Sequence, residues 1–313
     1  MTNSAVINEN MSFRLPQPIM LWIEPSASCN LDCPGCPTAA GRGGGVMHLE
    51  DFIHVIDQTP WLRFLNLWHR GEPLVAPDFP DMVAEASRRG IWTQTYTNGL
   101  LLSKNNLAEK IVAAGLNRIT IGVDGPDEET YSRIRRGGSL ADVEAGIKAL
   151  IEARRKLRSG KPKIIAECLV SRQGSAQLKA VRDMALNWGC DKFLFKTYKI
   201  NNMDDYDGAV DLLPDDTDLR RYIRVNGRLE MNRSRNSCRR LAYSATVAWN
   251  GELLPCCFSV NDFHSFGNVF QQPFRDVWRG RTIREFQRVV NNGGRDRIPM
   301  CRNCTEGLKR LYL

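Results

Sequence analysis

Runs of residues typical of β-strands alternate with amphipathic, helix-like segments from residue 19 to residue 199 of this 313-residue chain. Within 140–157, Val143, Ile147 and Leu150 recur three or four residues apart, which is the period of a buried helix face. Alternation of this kind predicts βα units and a parallel sheet. Six units favour an α/β fold with a partial (β/α)6 TIM-like barrel over a full eight-unit barrel. The predicted strands are 19–26, 63–70, 92–98, 118–124, 163–171 and 192–199, and the predicted helices are 49–58, 79–89, 104–114, 140–157 and 175–188.

Cys29, Cys33 and Cys36 follow the first predicted strand with the spacing C-x3-C-x2-C. Active sites of such sheets form in the loops at the carboxyl ends of the strands, so these thiols fall at that end. Three thiolates can bind three irons of a four-iron cluster and leave the fourth iron open to a small molecule, whereas ordinary ferredoxin sites supply four cysteines. Zinc ribbons use paired C-x2-C units with a fourth ligand. The spacing therefore indicates a cluster-binding loop, and a chance group of structural thiols is the plainer alternative.

Ten cysteines without an N-terminal export signal argue against a disulfide framework. They favour metal or cluster ligation in a reducing cytoplasm. No stretch approaches the roughly 18 consecutive apolar residues of a membrane helix. A chain of this length favours one large α/β domain and a smaller second domain.

A second group of cysteines lies toward the C-terminus. Cys238, Gly251 and Cys256 are spaced C-x12-G-x4-C, and Cys301 and Cys304 form a C-x2-C unit. Four thiolates suffice for one closed iron–sulfur cluster or for one tetrahedral zinc ion. The predicted organisation is an N-terminal tail at 1–18, a barrel at 19–200, a linker at 201–218 and a small α+β domain at 219–313.

The three-cysteine loop resembles the signature loop of the radical S-adenosylmethionine (radical SAM) enzymes. Three further segments, each at the end of a predicted strand, resemble positions of that family: Gly-Glu-Pro at 71–73, Thr-Asn-Gly at 97–99 and Gly-Val-Asp-Gly at 122–125. The resemblance spans about residues 20–199. It implies that SAM binds an open iron of a 4Fe–4S cluster and is cleaved to a 5′-deoxyadenosyl radical, which abstracts hydrogen from an unactivated carbon. It further implies that Cys29, Cys33 and Cys36 hold this cluster and that Gly71, Glu72, Pro73, Asn98, Asp124 and Arg135 contact SAM.

Some details of the family pattern bear on individual residues. A carboxylate at Glu72 suits a charge-assisted hydrogen bond to the SAM ammonium, and the adjacent glycine allows close backbone approach. Family members often have serine where this chain has Gly122. One of three arginines that follow the fourth strand is expected to pair with the SAM carboxylate through its planar fork. These are Arg133, Arg135 and Arg136.

The C-terminal cysteines resemble the auxiliary-cluster domain called SPASM, and more closely its shortened twitch form, as found in aminocyclitol dehydrogenases. The resemblance implies one auxiliary 4Fe–4S cluster held by Cys238, Cys256, Cys301 and Cys304, with zinc as the alternative. Cys257 then has two interpretations, a thiol that returns hydrogen to a substrate radical or a small residue on the other face of a strand. Cys168 and Cys190 are expected to be small buried residues. The residues expected to face the barrel mouth are His69, Glu167, Lys196 and Tyr198.

Eight arginines lie between residues 220 and 240. Such a segment can hold an anionic substrate or dock an acidic electron carrier, flavodoxin or ferredoxin. A solvated helical face is the plainer alternative. Nucleic acid has weak support, because the segment has little aromatic interleaving and contains no nucleic-acid motif. No membrane partner is expected.

The leading functional hypothesis is a radical SAM oxidoreductase or epimerase acting on a polar small molecule, of the sugar, aminocyclitol or nucleotide-sugar type. The first alternative is modification of a ribosomal peptide. About 18 residues precede the first predicted strand, too few for a fused leader-peptide recognition domain, so a separate protein would supply that role. The second alternative is a non-catalytic cluster or zinc scaffold, which predicts no binding of SAM.

Overall fold

The fold centres on one eight-stranded sheet with the strand order β10-β9-β1-β2-β3-β4-β5-β6. The computed structural model describes residues 17–34, 36, 38, 44–172, 175–199, 213–226, 228–232, 238–259, 264–306 and 308. Neighbouring strands from β1 to β6 are all parallel, so the prediction of a partial TIM-like barrel is confirmed. These six strands are β1 (Met20–Ile23), β2 (Phe64–Leu67), β3 (Trp92–Thr97), β4 (Arg118–Gly122), β5 (Lys163–Val170) and β6 (Lys192–Thr197).

Helices connect the parallel strands, as the apolar periodicity predicts. In the longest of them, Val143, Ile147 and Leu150 are fully buried, which confirms the predicted inner face. A short helix at Glu128–Ile134 was not predicted, because Tyr131 is its one fully buried residue and leaves no apolar period to read. The connecting helices are α1 (Leu49–Asp57), α2 (Phe79–Arg88), α3 (Leu107–Ala113), α4 (Glu128–Ile134), α5 (Leu140–Lys156) and α6 (Ser175–Asn187).

The C-terminal part of the chain adds a hairpin to the barrel sheet. Strand β9 pairs in parallel with β1, in the register Met20 to Ser244, and β10 pairs antiparallel with β9. The sequence predicts this hairpin, at 245–249 and 252–255, but gives no sign of its place beside β1. The remaining elements are β7 (Tyr222–Val225), β8 (Arg228–Met231), β9 (Ser244–Val247), β10 (Leu253–Leu254), α7 (Phe274–Trp278), α8 (Arg281–Asn291) and α9 (Pro299–Arg302).

The predicted tail and linker fall mostly outside the described residues, which leave out 1–16 and 200–212. The end of the linker is described, and Thr217–Leu219 forms a single 3₁₀ turn there. Strands β7 and β8 follow it as a separate two-stranded sheet. None of the helices in the described part of the chain is long and apolar enough to span a bilayer.

Candidate functional site

The three-cysteine loop leaves β1 at the carboxyl end of the sheet. Cys29, Cys33 and Cys36 are all free and half-buried. The Cys36 amide donates to the Cys33 carbonyl at 3.1 Å, which closes a turn between the two thiols. Burial raises the pKa of the Cys29 thiol to about 11, and it also raises the pKa of Cys33. Because iron binds thiolates, cluster assembly must displace these protons.

Residues after β2 brace this loop through backbone contacts. The Glu72 amide donates to the Ser28 carbonyl at 2.8 Å, and the Thr38 hydroxyl donates to the Arg70 carbonyl at 2.8 Å. A Cβ atom on Gly71 would lie within 3.0 Å of the carbonyl oxygens of Ser26 and Ser28, closer than real Cβ contacts come. Glycine is therefore required at position 71 by close approach of two loops, without any unusual backbone angle.

The Glu72 carboxylate lies inside the protein and accepts hydrogen bonds from its own chain. Its oxygens accept from the Leu74 amide at 3.1 Å, the Thr97 hydroxyl at 2.5 Å and the Asn98 amide at 2.8 Å. Burial raises the pKa of Glu72, and these hydrogen bonds oppose the rise. The carboxylate thus joins the ends of β2 and β3 through donors of the protein itself. Pro73 continues the segment as the first residue of a 3₁₀ turn.

Asn98 connects the end of β3 to the three-cysteine loop. Its side-chain nitrogen donates to Asn30 Oδ1 at 2.8 Å, and its side-chain oxygen accepts from the Leu100 amide at 3.1 Å. Asn30 immediately follows the first cysteine of the loop. The Thr-Asn-Gly segment is therefore more than a turn, because it contacts the three-cysteine loop from the end of β3, which is separated from β1 by β2.

A buried ion pair follows β4. Arg135 Nε donates to Asp124 Oδ2 at 2.5 Å, and the second Asp124 oxygen accepts from the Leu169 amide at 2.7 Å. Arg135 also donates to the Tyr96 hydroxyl at 3.1 Å. Burial raises the pKa of Cys33, and the nearby Arg135 guanidinium opposes that rise, so the arginine lies beside a predicted cluster ligand. The structure brings Asp124 and Arg135 together with the three-cysteine loop.

Gly122 makes room for this arginine. A Cβ at position 122 would lie 2.5 Å from an Arg135 terminal nitrogen and 3.0 Å from the Tyr96 hydroxyl. The departure from the family's serine thus has a local physical cause. The other two arginines lie on the surface: Arg133 pairs with Glu129 at 2.8 Å and is 70% exposed, and Arg136 is 64% exposed. Arg135 is the arginine of the three that the fold buries.

A second carboxylate brace, missed from the sequence, joins β1, β2 and the C-terminal hairpin. Glu24 is fully buried, and both of its oxygens accept from the Arg70 guanidinium, at 2.9 and 2.8 Å. The Trp249 amide also approaches Glu24, at 3.3 Å. His69 was predicted to face substrate, but its side chain is fully buried and lies 3.3 Å from Glu24. The imidazole thus lies against the Glu24 carboxylate, and contact of His69 with a substrate stays a prediction.

Polar residues of β5 and β6 meet near the same end of the sheet. Lys196 Nζ lies 3.2 Å from Glu167 Oε1 and 5.7 Å from the centre of the Tyr96 ring. Glu167 is 3% exposed, and burial raises its pKa while Lys196 opposes the rise. Burial also raises the pKa of Tyr198, and the charges of Asp124 and the cysteine loop act on that hydroxyl. Cys168 and Cys190 are buried, as predicted for small core residues.

The C-terminal cysteines form a second, more deeply buried group. Cys256 and Cys301 are each 7% exposed and Cys304 is 6% exposed, while Cys238 is half-buried. Burial raises the pKa of Cys256 well above its ordinary value, with Cys304 and Cys301 among the neighbouring thiols. Leu241, Val290 and Met300 pack against the group. Cys238, Cys256 and Cys301 are thus collected in one apolar cluster, although the first and last of them lie 63 residues apart in the chain. The Cys304 amide donates to the Cys301 carbonyl at 3.3 Å.

Arg240 and Lys199 lie beside these cysteines. Arg240 donates to the sulfur of Cys257 at 3.5 Å. Burial raises the pKa of Cys257, with Arg240 acting against the rise. Lys199 Nζ lies 4.8 Å from the centre of the Phe258 ring. Cys257 therefore stands next to the auxiliary group and among cations.

The arginine-rich segment is not one exposed patch. Arg221 is 1% exposed and donates to the Thr197 hydroxyl at 3.1 Å and to the Thr197 carbonyl. Arg240 is half-buried, and Arg239 is exposed. Residues 233–237, and the side chains at 224 and 228, fall outside the described residues. The described arginines thus divide between internal positions and the surface.

The donor sets of the two groups, three and four thiols, suit iron–sulfur clusters. In the part of the chain that the structure describes, no three or more His, Cys, Asp or Glu side chains converge on a point that would hold one metal ion. A four-iron cube spreads its ligands around a larger body. Buried cations beside the C-terminal group also suit an anionic cluster.

Comparison with known proteins agrees with both cysteine groups. The model of the radical SAM superfamily matches residues 23–159, and the model of an iron–sulfur cluster-binding domain, SPASM, matches residues 238–305. The chain is 27% identical over 316 residues to the tungsten-containing aldehyde ferredoxin oxidoreductase cofactor-modifying protein of Pyrococcus furiosus, covering 91% of this chain and 86% of that protein. It is 29% identical over 178 residues to the PqqA peptide cyclase of Granulibacter bethesdensis, covering 56% of this chain and 46% of that one.

Among solved structures, BtrN in complex with AdoMet and 2-DOIA is similar with a TM-score of 0.55 and 16% identity, over 92% of this chain and 93% of that one. That likeness concerns the fold. The two matched domains imply SAM and 4Fe–4S clusters, one radical SAM and one auxiliary, as cofactors. The chain belongs to the radical SAM superfamily, and its C-terminal part is a SPASM iron–sulfur cluster-binding domain.

Proposed function

We propose that this radical SAM enzyme modifies a ribosomal peptide by abstracting hydrogen from it. The observation that carries the radical chemistry is the three-cysteine loop, which Gly71 and Asn98 contact at the carboxyl end of a parallel sheet. When bound, SAM and the cluster supply a carbon radical that abstracts hydrogen from an unactivated carbon. The peptide class takes precedence over the expected small molecule because a peptide cyclase is among the sequence relatives.

In this proposal the chain's own residues hold and orient the cofactors. Cys29, Cys33 and Cys36 are the cluster ligands, and the Gly71–Glu72 backbone and Asn98 line the SAM side of the loop. Arg135 presents its remaining guanidinium donors to the SAM carboxylate, while Asp124 fixes the plane of that guanidinium.

The shape of the sheet supports a peptide substrate. Its end strands are β10 and β6, and these two strands do not pair with each other among the described residues. A sheet that stays open at its side admits an extended chain more readily than a closed barrel does. The Glu167–Lys196 pair near the mouth offers one acceptor and one donor group to a polar backbone.

A polar small molecule is the second candidate, and the same ion pair favours it. Lys196 is 30% exposed and would attract an anionic group, as on a nucleotide-linked sugar. The outcome would then be dehydrogenation or epimerisation, with Cys257 as the hydrogen donor in the epimerase version.

For either substrate class, we propose that flavodoxin or ferredoxin is the reductant and that the enzyme works in a reducing compartment such as the cytoplasm.

Deuterium transfer distinguishes the two substrate classes. Extract from deuterated cells of the source organism is separated into a peptide fraction and a small-molecule fraction, and each is incubated with reconstituted enzyme, SAM and dithionite. Because the abstracted hydrogen ends in 5′-deoxyadenosine, mass spectrometry of that product reports which fraction contains the substrate. We expect deuterium from the peptide fraction and its loss after protease treatment.

Two results would overturn parts of the proposal. Deuterium transfer that comes from the small-molecule fraction and survives protease treatment would replace the peptide with the second candidate. No 5′-deoxyadenosine with any reductant, in protein that has bound about eight irons, would remove the catalytic proposal. The Cys29→Ala/Cys33→Ala/Cys36→Ala variant is the control, and it should form no 5′-deoxyadenosine.

A further inference from the structure

Two cations flank the auxiliary cysteine group. Arg240 donates to the Cys257 sulfur at 3.5 Å, and its other terminal nitrogen pairs with Glu306 at 3.4 Å. Glu306 is itself tied to the group, since its amide donates to the Cys304 sulfur at 3.2 Å. Lys199 follows β6, and its Nζ lies 4.8 Å from the centre of the Phe258 ring, which packs against the cysteine group.

The position of Arg240 is not explained by hydrogen bonding alone. Its Nε atom is buried and has no hydrogen-bond partner within the described residues, which costs free energy. Its guanidinium lies 5.3 Å from the centre of the Trp22 ring, on the strand that leads to the three-cysteine loop. The fold thus keeps a permanent positive charge between β1 and the auxiliary cysteines, where anionic sulfur attracts it.

The apolar surroundings strengthen the interaction of the Arg240 charge with the auxiliary cysteine group. Cys256 and Cys301, each 7% exposed, lie in a cluster with Leu241 and Met300, and Cys304 is 6% exposed. Charges interact more strongly in such an apolar interior than in water. One-electron reduction adds a negative charge to a four-cysteine cluster and neither makes nor breaks a bond. Burial therefore disfavours the reduced state, and a nearby fixed cation favours it.

We propose that Arg240, with Lys199 as a second cation, raises the reduction potential of the auxiliary cluster and so makes it a better electron acceptor. The inference rests on the binding of that cluster by Cys238, Cys256, Cys301 and Cys304. It is independent of the substrate class. Arg240 acts here as a positioning residue through its charge, with no contact to substrate.

The test is a potentiometric titration with dithionite, followed by electron paramagnetic resonance of the auxiliary cluster. The Cys29→Ala/Cys33→Ala/Cys36→Ala background removes the signal of the other cluster. In that background, Arg240→Gln should shift the midpoint potential to a more negative value, and Arg240→Lys should restore much of it. Arg239→Gln is the matched control, because it removes the same charge one residue earlier at an exposed position, and it should leave the potential unchanged.

A second variant tests the sign of the shift in midpoint potential. Glu306→Gln removes the negative charge opposite Arg240 but keeps the backbone contact to Cys304, so it should shift the potential to a less negative value. The Glu306→Gln measurement tests the proposal even if the Arg240→Gln variant loses its iron. Equal potentials in Glu306→Gln and its background, or in Arg240→Gln that keeps about four irons, would overturn the proposal. Failure of the peptide proposal would show instead in the deuterium experiment, with these potentials unaffected.

Discussion

The Glu24 carboxylate and the Arg70 guanidinium form a two-point ion pair, with N–O distances of 2.9 and 2.8 Å. Glu24 follows β1 and Arg70 follows β2, so the pair fixes the two loops that define the candidate site. The same carboxylate receives the Trp249 amide from the C-terminal hairpin. One buried side chain therefore connects the barrel loops to the SPASM part of the chain.

This arrangement predicts an acid-dependent loss of stability. Burial alone would raise the pKa of Glu24, but interaction with His69 and Arg70 outweighs it and lowers the pKa from 4.5 to about 2. Because the folded-state pKa lies below the unfolded value, the contribution is complete above about pH 4.5 and is lost as the pH falls to about 2. A shift of this size corresponds to at most about 3 kcal/mol.

Urea unfolding of the wild type and of Glu24→Gln checks this prediction. The variant should have a lower free energy of unfolding at pH 7, and the difference between the two proteins should shrink as the pH falls below about 4.5. Glu129→Gln is a suitable control, since that carboxylate is 86% exposed and pairs with Arg133 on the surface. A difference that stays constant with pH would show that the ionised state of Glu24 contributes nothing.

Gly71→Ala should damage the cluster loop. The added Cβ would overlap the carbonyl oxygens of Ser26 and Ser28, and these are backbone atoms that cannot turn away. Overpacking of this kind costs about 1–3 kcal/mol. We expect lower iron retention in the three-cysteine loop and slower SAM cleavage, measured by iron analysis and 5′-deoxyadenosine formation.

The control for that substitution is Gly160→Ala. A Cβ at position 160 would meet no atom within 4 Å, so the same chemical change tests nothing but the added methyl group. It should keep wild-type iron content and activity. Equal behaviour of the two variants would mean that the loops tolerate separation at Gly71.

The sequence predicts the six parallel strands well. Strands β1, β2 and β5 are buried on both faces and form apolar runs that stand out locally, and β3 and β4 alternate buried with half-buried positions. It does not predict that β9 pairs with β1, since Met20 and Ser244 are joined only by the tertiary fold. The sequence also does not show why a glycine is needed at a given position, because the atoms that its Cβ would meet come from distant parts of the chain. A Cβ on Gly44 or Gly45 would collide with the Trp249 ring, a contact from the other end of the chain.

Within the candidate site, cysteine spacing predicts both thiol groups, and a motif after each strand predicts the position of Asp124 and Arg135. The roles of side chains are harder to predict. Glu72 is a typical partner for an ammonium by its chemistry, but Thr97 and the Asn98 amide already occupy it. Which donors reach a buried carboxylate depends on strand register at its neighbours, and the local sequence carries no signal for that.

Arg135→Lys should weaken SAM binding and leave the cluster in place. Lysine keeps the charge that Asp124 needs but loses the planar fork that serves Asp124, Tyr96 and a SAM carboxylate together. We expect the dissociation constant for SAM to rise about tenfold, which corresponds to about 1.4 kcal/mol. Arg133→Lys is the matched control, since Arg133 is 70% exposed. Unchanged SAM affinity in Arg135→Lys would limit Arg135 to a structural role beside Asp124.

The adjacent Cys256 and Cys257 should respond oppositely to replacement by alanine. Cys256 is 7% exposed and belongs to the buried group with Cys301, whereas Cys257 faces Arg240. Cys256→Ala should lose about four irons, because a closed cluster needs all four thiolates, and Cys257→Ala should keep them. In the epimerase version of the function, Cys257→Ala should still abstract hydrogen but stop forming the epimer. Iron analysis and product analysis check the two parts separately: loss of iron from Cys257→Ala would make Cys257 a ligand, and an unchanged product would exclude it as the hydrogen donor.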